Sequence, residues 1–578
     1  MVLNYSARTL LTVWISLLFS PLVYGAEVPI YSQADIVHPI KAAHGMLSIA
    51  NKYAADAGLA VLKEGGNAID AAVTVAFILS VTAPQAGNLG GGGFMLVRLA
   101  KENKVIAIDY REKAPLLAHR DLFLDTNGNL DTEKTRYSFL SCGVPGTVAG
   151  MAYALEKYGT IPLKRALEPA IKLARNGFLV DEQLYTDLVS AKNQMSKFTE
   201  SYKTFYKPDG TPYKIGERII QKDLAWSLTQ LYLEGPSAFY EGAVAEKIVE
   251  SMRQYGGIIT KKDLKLYSVI PREPVEGTYR GYTIYSMPPP SSGGIHVIQL
   301  LNLIEGYPIS TWGQNSANTI HVLAESMKHA FADRSKHLGD SDFVKVPLVA
   351  LTSKSYAEQL RKSIDLTKAT PSKKISPYDS KNQYESLQTN HFSIIDKEGN
   401  AVANTYTLNF SFGSKLVVPG AGFLLNNQMD DFASKSGEPN AYGLTGDSAN
   451  AIAPGKRMLS SMSPTIIMKD NKPFLITGSP GGSNIISTVF QIITNVIDFN
   501  LNIAEATYAP RIHHQWYPEE LRIEKGINAD TKHLLEQRGH KVVYTNTMGA
   551  AQSILIDANG VLYGVADPRI PDGIVVGY

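Results

Sequence analysis

The chain has 578 residues, 44% of them hydrophobic and 19% charged, which is enough apolar material for a large core. Its 56 basic and 54 acidic residues leave a formal charge of +2, and no basic run forms a footprint for nucleic acid or a membrane surface. The one cysteine, Cys142 in FLSCGVPGT, excludes an intrachain disulfide and reads as a small buried residue.

At the N-terminus Arg8 precedes an apolar run, Leu10–Phe19, followed by Ser20, Pro21, Gly25 and Ala26. This is the pattern of an export signal cut after Gly25, and it sends the protein to the periplasm or the medium. The run is short for a stable membrane span; a buried N-terminal helix is the other reading. Next, AADAGLAVLKE (Ala54–Glu64) predicts an amphipathic helix stopped by Gly65 and Gly66. Ala68–Val81 is apolar nearly all round and predicts a buried helix. GNLGGGGFMLVR then puts four glycines, Gly90–Gly93, before a strand. No Lys-Ser/Thr and no helix follow, so these glycines predict close backbone packing rather than a phosphate cradle.

Strands are predicted at Val105–Glu112, Tyr282–Met287, FSIID, AVANTYTL, TIIMK and FLITG. Helical patterns such as His296–Gly306 and TIHVLAESMKHAFADR lie among them, so the chain mixes helices and strands. PPPSSGG (Pro288–Gly294) is a turn before a helix, with Ser291 or Ser292 as a possible cap. The one strong shift in composition is the polar segment Thr367–Gln388.

A strand-like run begins directly after that segment, at Thr389. TNHFSII and AVANTYTLN flank a five-residue loop, DKEGN, which predicts a hairpin. Pairing Ile395 with Ala401 sets Thr389 opposite Thr407. Because side chains alternate faces, Phe392, Ile394, Val402, Tyr406 and Leu408 share one face. Thr389, His391, Ser393, Thr405, Thr407 and Asn409 share the other, with Asn390 and Asn404 as polar exceptions on the apolar side. A solvated polar face would account for the alternation alone. A cut between Gln388 and Thr389 would also account for the loose approach. The new α-amine, with an ordinary pKa of about 7.7–8.0, could then serve as base for the hydroxyl of its own residue.

These residues resemble the γ-glutamyltransferase family (γ-glutamyl transpeptidases), N-terminal-nucleophile hydrolases made as one precursor. The resemblance is carried by AGLAVLKEGGNAIDAAV, NLGGGGFML, DYREKAP, SCGVPGTVAG, PPPSSGG, FADR, TNHFSIID, NTYTLNFSFG, NNQMDDF, LSSMSPTII, GSPGG and ADPR, in that order. It implies an α+β fold, a four-layer αββα sandwich built from both fragments of a self-cleaved chain. After the signal peptide (1–25) come a large fragment (26–388) and a small catalytic one (389–578), which form a heterodimer sharing one core.

The resemblance also implies roles. Thr389 is the nucleophile and Thr407 the threonine that hydrogen-bonds it. Arg111, Ser460 and Ser461 hold a substrate α-carboxylate, and a guanidinium fork suits that task. Asp431 receives the α-ammonium, with Asn409 and Gln428 as polar neighbours. Gly481 and Gly482 supply an oxyanion hole. Tyr442 covers the site as part of a lid loop between Asp431 and Ser460. The implied substrates are glutathione and other γ-glutamyl compounds, with water, amino acids or peptides as acceptors and no cofactor or metal. His513 and His514 are adjacent and point to opposite faces of a strand, which does not favour a metal site. A glutaryl (cephalosporin-type) acylase on the same fold, or an uncleaved exported binding protein, are the alternatives.

Overall fold

Asn51 opens the first long helix, Lys52–Lys63, by accepting from Ala54 N at 3.2 Å, and Gly65 (φ 94°) follows its end. Asn67 and Asp70 form a reciprocal capping box on the second, Ala68–Thr82, every residue of which is buried. Both helices were expected within two residues of where they lie. Residues 35–375, 389–435, 438, 440 and 444–578 of the computed structural model are described, with Val37–Tyr578 as one unit. The expected leader (1–25), Gln388 and Tyr442 lie outside the described residues. No helix among the described residues is long and apolar enough to cross a membrane.

Two seven-stranded antiparallel sheets form the middle of the unit. The first runs Ile574–Gly577, Met46–Ile49, Asn390–Ile395, Ala401–Thr407, Gly92–Leu99, Lys104–Tyr110, Ile270–Arg272. The second runs Ile40–Ala42, Leu562–Ala566, Gln552–Ile556, Lys472–Thr477, Thr465–Lys469, Tyr282–Ser286, Val275–Tyr279. Each sheet mixes strands from before and after residue 388. One face of the first sheet, including Leu47, Met95, Val97, Phe392, Ile394 and Val402, packs with the 52–63 and 68–82 helices. Its other face, including Phe94, Leu96 and Ala403, meets the second sheet, whose outer side carries the helices Gly293–Ile304, Ala317–His337 and Asn484–Ile497. The result is the expected four-layer αββα sandwich.

The hairpin has the expected register: Ile395 pairs with Ala401 and Asn390 with Tyr406. Its turn is closed by Asp396, whose Oδ1 accepts from Glu398 N and Asn400 N at 3.0 and 2.9 Å. Asp396 Oδ2 also accepts from Ala68 N at 2.9 Å, tying the turn to the start of the buried helix. A solvated polar face is not what the structure shows. All six residues of the first strand and all seven of the second are buried, because the polar face lies against the second sheet. There Ser393 Oγ donates to Gln552 O at 2.8 Å. Asn404, an exception to the pattern, accepts from Tyr110 Oη at 2.6 Å. The strand ends at Thr407, and Asn409 turns away from it with φ 81°.

The glycine run packs as expected. A Cβ on Gly91 would lie 2.2 Å from Thr407 O, a backbone atom that cannot step aside. Gly91→Ala is therefore expected to destabilise by about 1–3 kcal/mol or more through overpacking. The same change should slow any reaction that depends on the position of Thr407. A thermal melt and a rate on one preparation check both; an unchanged melt would refute the packing argument. In PPPSSGG, Ser292 occupies the cap position of the Gly293–Ile304 helix, but Ser291 Oγ does the capping, accepting from Gly293 N at 3.0 Å.

Candidate active site

Thr389 stands at the start of a central strand and is 8% exposed. Its Oγ1 donates to Thr407 Oγ1 across the hairpin at 3.4 Å. Thr407 Oγ1 also accepts from Asn409 N at 2.9 Å, a bond made possible by the positive φ of Asn409. Next along the polar face, His391 bonds Thr405 Oγ1 at 2.7 Å and Ser393 Oγ at 3.2 Å. Burial lowers its pKa to about 3, so the imidazole is neutral.

A cavity of about 30 Å³ opens beside Thr389. Its wall gathers Thr407, Asn409, Gln428, Asp431, Ser460, Ser461, Gly482 and Arg111, residues drawn from five separate sequence motifs. Arg111 follows the strand Lys104–Tyr110, and Asp431 closes the short 3₁₀ turn Gln428–Asp431. Arg111 Nη2 donates to Asp431 Oδ2 at 2.5 Å, and the two side chains are 1% and 11% exposed. Burial raises the Asp431 carboxyl, while Arg111 and Arg334 pull it back. Gln428 Nε2 reaches the same Oδ2 at 3.5 Å, and Asn409 Nδ2 donates to Asn427 O at 3.1 Å.

Ser460 Oγ accepts from Met462 N at 3.1 Å. Gly481 (φ 133°) and Gly482 (φ 56°) adopt left-handed backbone just before the helix Asn484–Ile497. Gly482 lines this cavity, whereas Gly481 does not. Among the described residues neither of the two amide N–H groups has an acceptor. Thr389 also borders a second cavity, of about 170 Å³, with Asn390, Pro480 and Gly549.

Two residues of the site escaped the sequence reading. Glu112 is wholly buried beside Arg111, with Oε2 3.4 Å from Nη1 and no partner for Oε1. Its place in DYRE next to Arg111 was the available signal. Burial raises its carboxyl to about 7 against the pull of Arg111. The folded chain thus binds this proton more tightly than an unfolded glutamate does, near pH 4.3. Stability is therefore lost as pH rises from about 4.3 toward 7. Melting temperatures of the wild type and Glu112→Gln should diverge across that window and run parallel above it; parallel curves throughout would refute the assignment. The second missed residue is Arg334, in FADR, which lies on the cavity wall.

His513 and His514 do not form a metal pair. His513 Nδ1 bonds Ser487 Oγ at 2.8 Å, and His514 Nδ1 accepts from Trp516 N at 3.2 Å. A group with metal-like spacing, His321, Glu325 and His540, is buried elsewhere. Its imidazoles bond each other at 2.7 Å, and Glu325 accepts from Lys328 Nζ at 2.7 Å, so these atoms already have protein partners.

Stacked antiparallel sheets between helical layers, with a threonine poised at the head of a central strand, define an N-terminal-nucleophile hydrolase. Solved structures agree. The cephalosporin acylase from Bacillus halodurans is similar over 96% of this chain and 99% of its own, with TM-score 0.83 and 28% identity. Within that class the chain belongs to the gamma-glutamyltranspeptidase family, whose model matches residues 54–577. It is 52% identical to the glutathione hydrolase proenzyme of Escherichia coli K12 over 96% of this chain and 95% of that one. It is 44% identical to the proenzyme of the same name from Pseudomonas sp. strain A14, over 93% and 95%. The solved gamma-glutamyltranspeptidase chain from Helicobacter pylori is 46% identical with TM-score 0.56, covering 57% of this chain and 95% of its own.

Proposed function

We propose that the protein is an exported γ-glutamyltransferase and glutathione hydrolase that cuts itself between Gln388 and Thr389. One observation carries the reading: a single cavity holds the Thr389–Thr407 hydroxyl pair together with the buried Arg111–Asp431 ion pair. The ion pair matches an α-amino acid head. The α-carboxylate of the substrate takes Arg111, Ser460 and Ser461, and its α-ammonium takes Asp431, Gln428 and Asn409. On binding, a γ-glutamyl group exchanges the Arg111–Asp431 contact for contacts with its own two charges.

In self-cleavage Thr389 Oγ attacks the carbonyl carbon of residue 388, the 388–389 C–N bond breaks as the Thr389 nitrogen takes the hydroxyl proton, and water hydrolyses the resulting ester. This leaves a small fragment that begins at Thr389 and stays paired with residues 26–388. The freed amine takes the hydroxyl proton as Thr389 Oγ attacks the γ-carbonyl. The oxyanion is received by the Gly481 and Gly482 amides, the leaving amine takes the proton, and a γ-glutamyl ester remains on Thr389. Water or an amino acid or peptide amine then accepts the acyl group. The names of the E. coli and Pseudomonas relatives, with the word proenzyme in them, support both the reaction and the processing. The apolar leader cut after Gly25 supports export to the periplasm or medium.

Glutaryl acylase activity is the rival on this fold, and a glutaryl group lacks the ammonium that Asp431 would receive. Turnover of γ-glutamyl and glutaryl p-nitroanilides separates the two. A higher kcat/KM on the γ-glutamyl compound is expected, and preference for the glutaryl one would overturn the assignment.

A further inference from the structure

Arg334 lies in the last turn of the helix Ala317–His337. An arginine there ordinarily faces solvent and complements the helix dipole. This one is 5% exposed and reaches the wall of the cavity beside Thr389. Its Nε donates to Ser292 Oγ at 3.0 Å and its Nη2 to Ser461 Oγ at 3.2 Å. Ser292 Oγ in turn donates to Ser460 O at 2.7 Å, and Ser292 N donates to the same oxygen at 2.8 Å. One guanidinium thus braces both serines of the pair.

Two features of this arrangement point toward an anion. First, among the described residues no carboxylate oxygen lies within 4.0 Å of Arg334. The neighbouring charges, Asp431 and Arg111, act on it only at longer range, and Asp431 is already engaged by Arg111. A buried cation without a contacting counterion is unfavourable unless a ligand supplies one. Second, Arg334 fixes the role of a hydroxyl. A serine oxygen that accepts from a guanidinium keeps its own proton for donation elsewhere. Ser461 Oγ accepts from Arg334, and Ser460 Oγ accepts from Met462 N; neither donates to a group of the described chain. Both residues line the cavity.

We infer that Arg334 is the second cation of the carboxylate pocket. It is a positioning residue that turns Ser461 into a hydrogen-bond donor and supplies charge which selects donors carrying an α-carboxylate. The inference rests on the functional reading above and adds a specificity determinant to it. It accounts for FADR and PPPSSGG, which supply Arg334 and Ser292 and to which the sequence reading, beyond the resemblance, a turn and a helix, assigned no site role.

The test uses the mature enzyme and three competitive inhibitors of γ-glutamyl p-nitroanilide hydrolysis. L-Glutamate carries both head charges, glutarate only the carboxylate, and 4-aminobutanoate only the ammonium. Arg334→Met is expected to raise the inhibition constants of glutamate and glutarate by about tenfold or more, because it removes a positive charge from the pocket and the bond that turns Ser461 into a donor toward the carboxylate. The constant for 4-aminobutanoate should change by less than about twofold. Adding Ser461→Ala to Arg334→Met should shift the glutarate constant by less than the product of the single effects, since one acts through the other. Arg334→Lys keeps the charge and should show the same pattern at smaller size.

Equal weakening of all three inhibitors, or no change, would overturn the inference and leave the functional reading standing. So would failure of both Arg334 variants to self-cleave, which would assign the residue to folding or processing. If the wild type does not hydrolyse the γ-glutamyl anilide, the functional reading itself falls.

Discussion

Thr389→Ala should give one band on a denaturing gel where the wild type gives two, the smaller beginning Thr-Asn-His-Phe. The variant should also lack γ-glutamyl turnover, with kcat down by about 10⁴-fold or more, as when a nucleophile is removed. The expectation follows from the position of the residue. Thr389 begins the strand whose register puts its hydroxyl against Thr407 at 3.4 Å, and no other hydroxyl of the cavity stands at the head of a strand. The alanine deletes one oxygen from a site held on all sides by packed sheet, so the fold should survive, and a melt near that of the precursor would confirm this. Thr389→Ser keeps the oxygen and should still process. Thr407→Ala removes an orienting bond worth about 0.5–1.5 kcal/mol, so it should slow the reaction by roughly tenfold and not abolish it. A wild type that remains one chain yet is active would defeat the amine-base mechanism.

Asp431→Asn and Arg111→Lys should each lower kcat/KM on γ-glutamyl p-nitroanilide by about thirty- to four-thousandfold. Truncating one partner of a buried charge pair costs about 2–5 kcal/mol, and 1.4 kcal/mol is tenfold. Their effects on a glutaryl donor should diverge. Glutaryl keeps the carboxylate and lacks the ammonium, so Arg111→Lys should impair both donors while Asp431→Asn should impair mainly the γ-glutamyl one. The Asn variant keeps the shape, and Arg111 retains its bonds to the carbonyls of Met458 and Leu459. Steady-state kinetics on the two anilides read the difference directly. An equal loss on both donors in Asp431→Asn would mean that Asp431 only holds Arg111 in place.

The hairpin was legible because a period of two, a five-residue turn and an apolar face allow one register, and a slip by one residue would have moved Phe392 and Ile394 onto the polar face. The two early helices were legible from caps and apolar pattern. What covers the polar face was not legible. Ser393 meets Gln552 from a strand 159 residues away, and no local pattern reports such a partner. The same limit applies to Asn426 of NNQ, whose side chain bonds Gly90 O and both backbone groups of Gly143, joining three motifs that the sequence shows only as separate words. Arg334 and Glu112 were overlooked for a physical reason: an arginine near a helix end and a carboxylate after a strand are ordinarily solvated. Here both are buried.

Both sheets interleave strands from before and after residue 388. Ala401–Thr407 pairs along seven positions with Gly92–Leu99, and Ile574–Gly577 closes on Met46–Ile49. On the proposed cut, only the intact precursor carries all of that pairing on one thread. Self-cleavage then erases the covalent memory of how the layers were assembled. The mature pair would persist through a high barrier to opening and not through an equilibrium it can revisit. A melted precursor such as Thr389→Ala can find its way back as a single molecule. On that cut a melted mature enzyme would have to reunite two separate chains, so its working life would be set by how slowly it first comes apart.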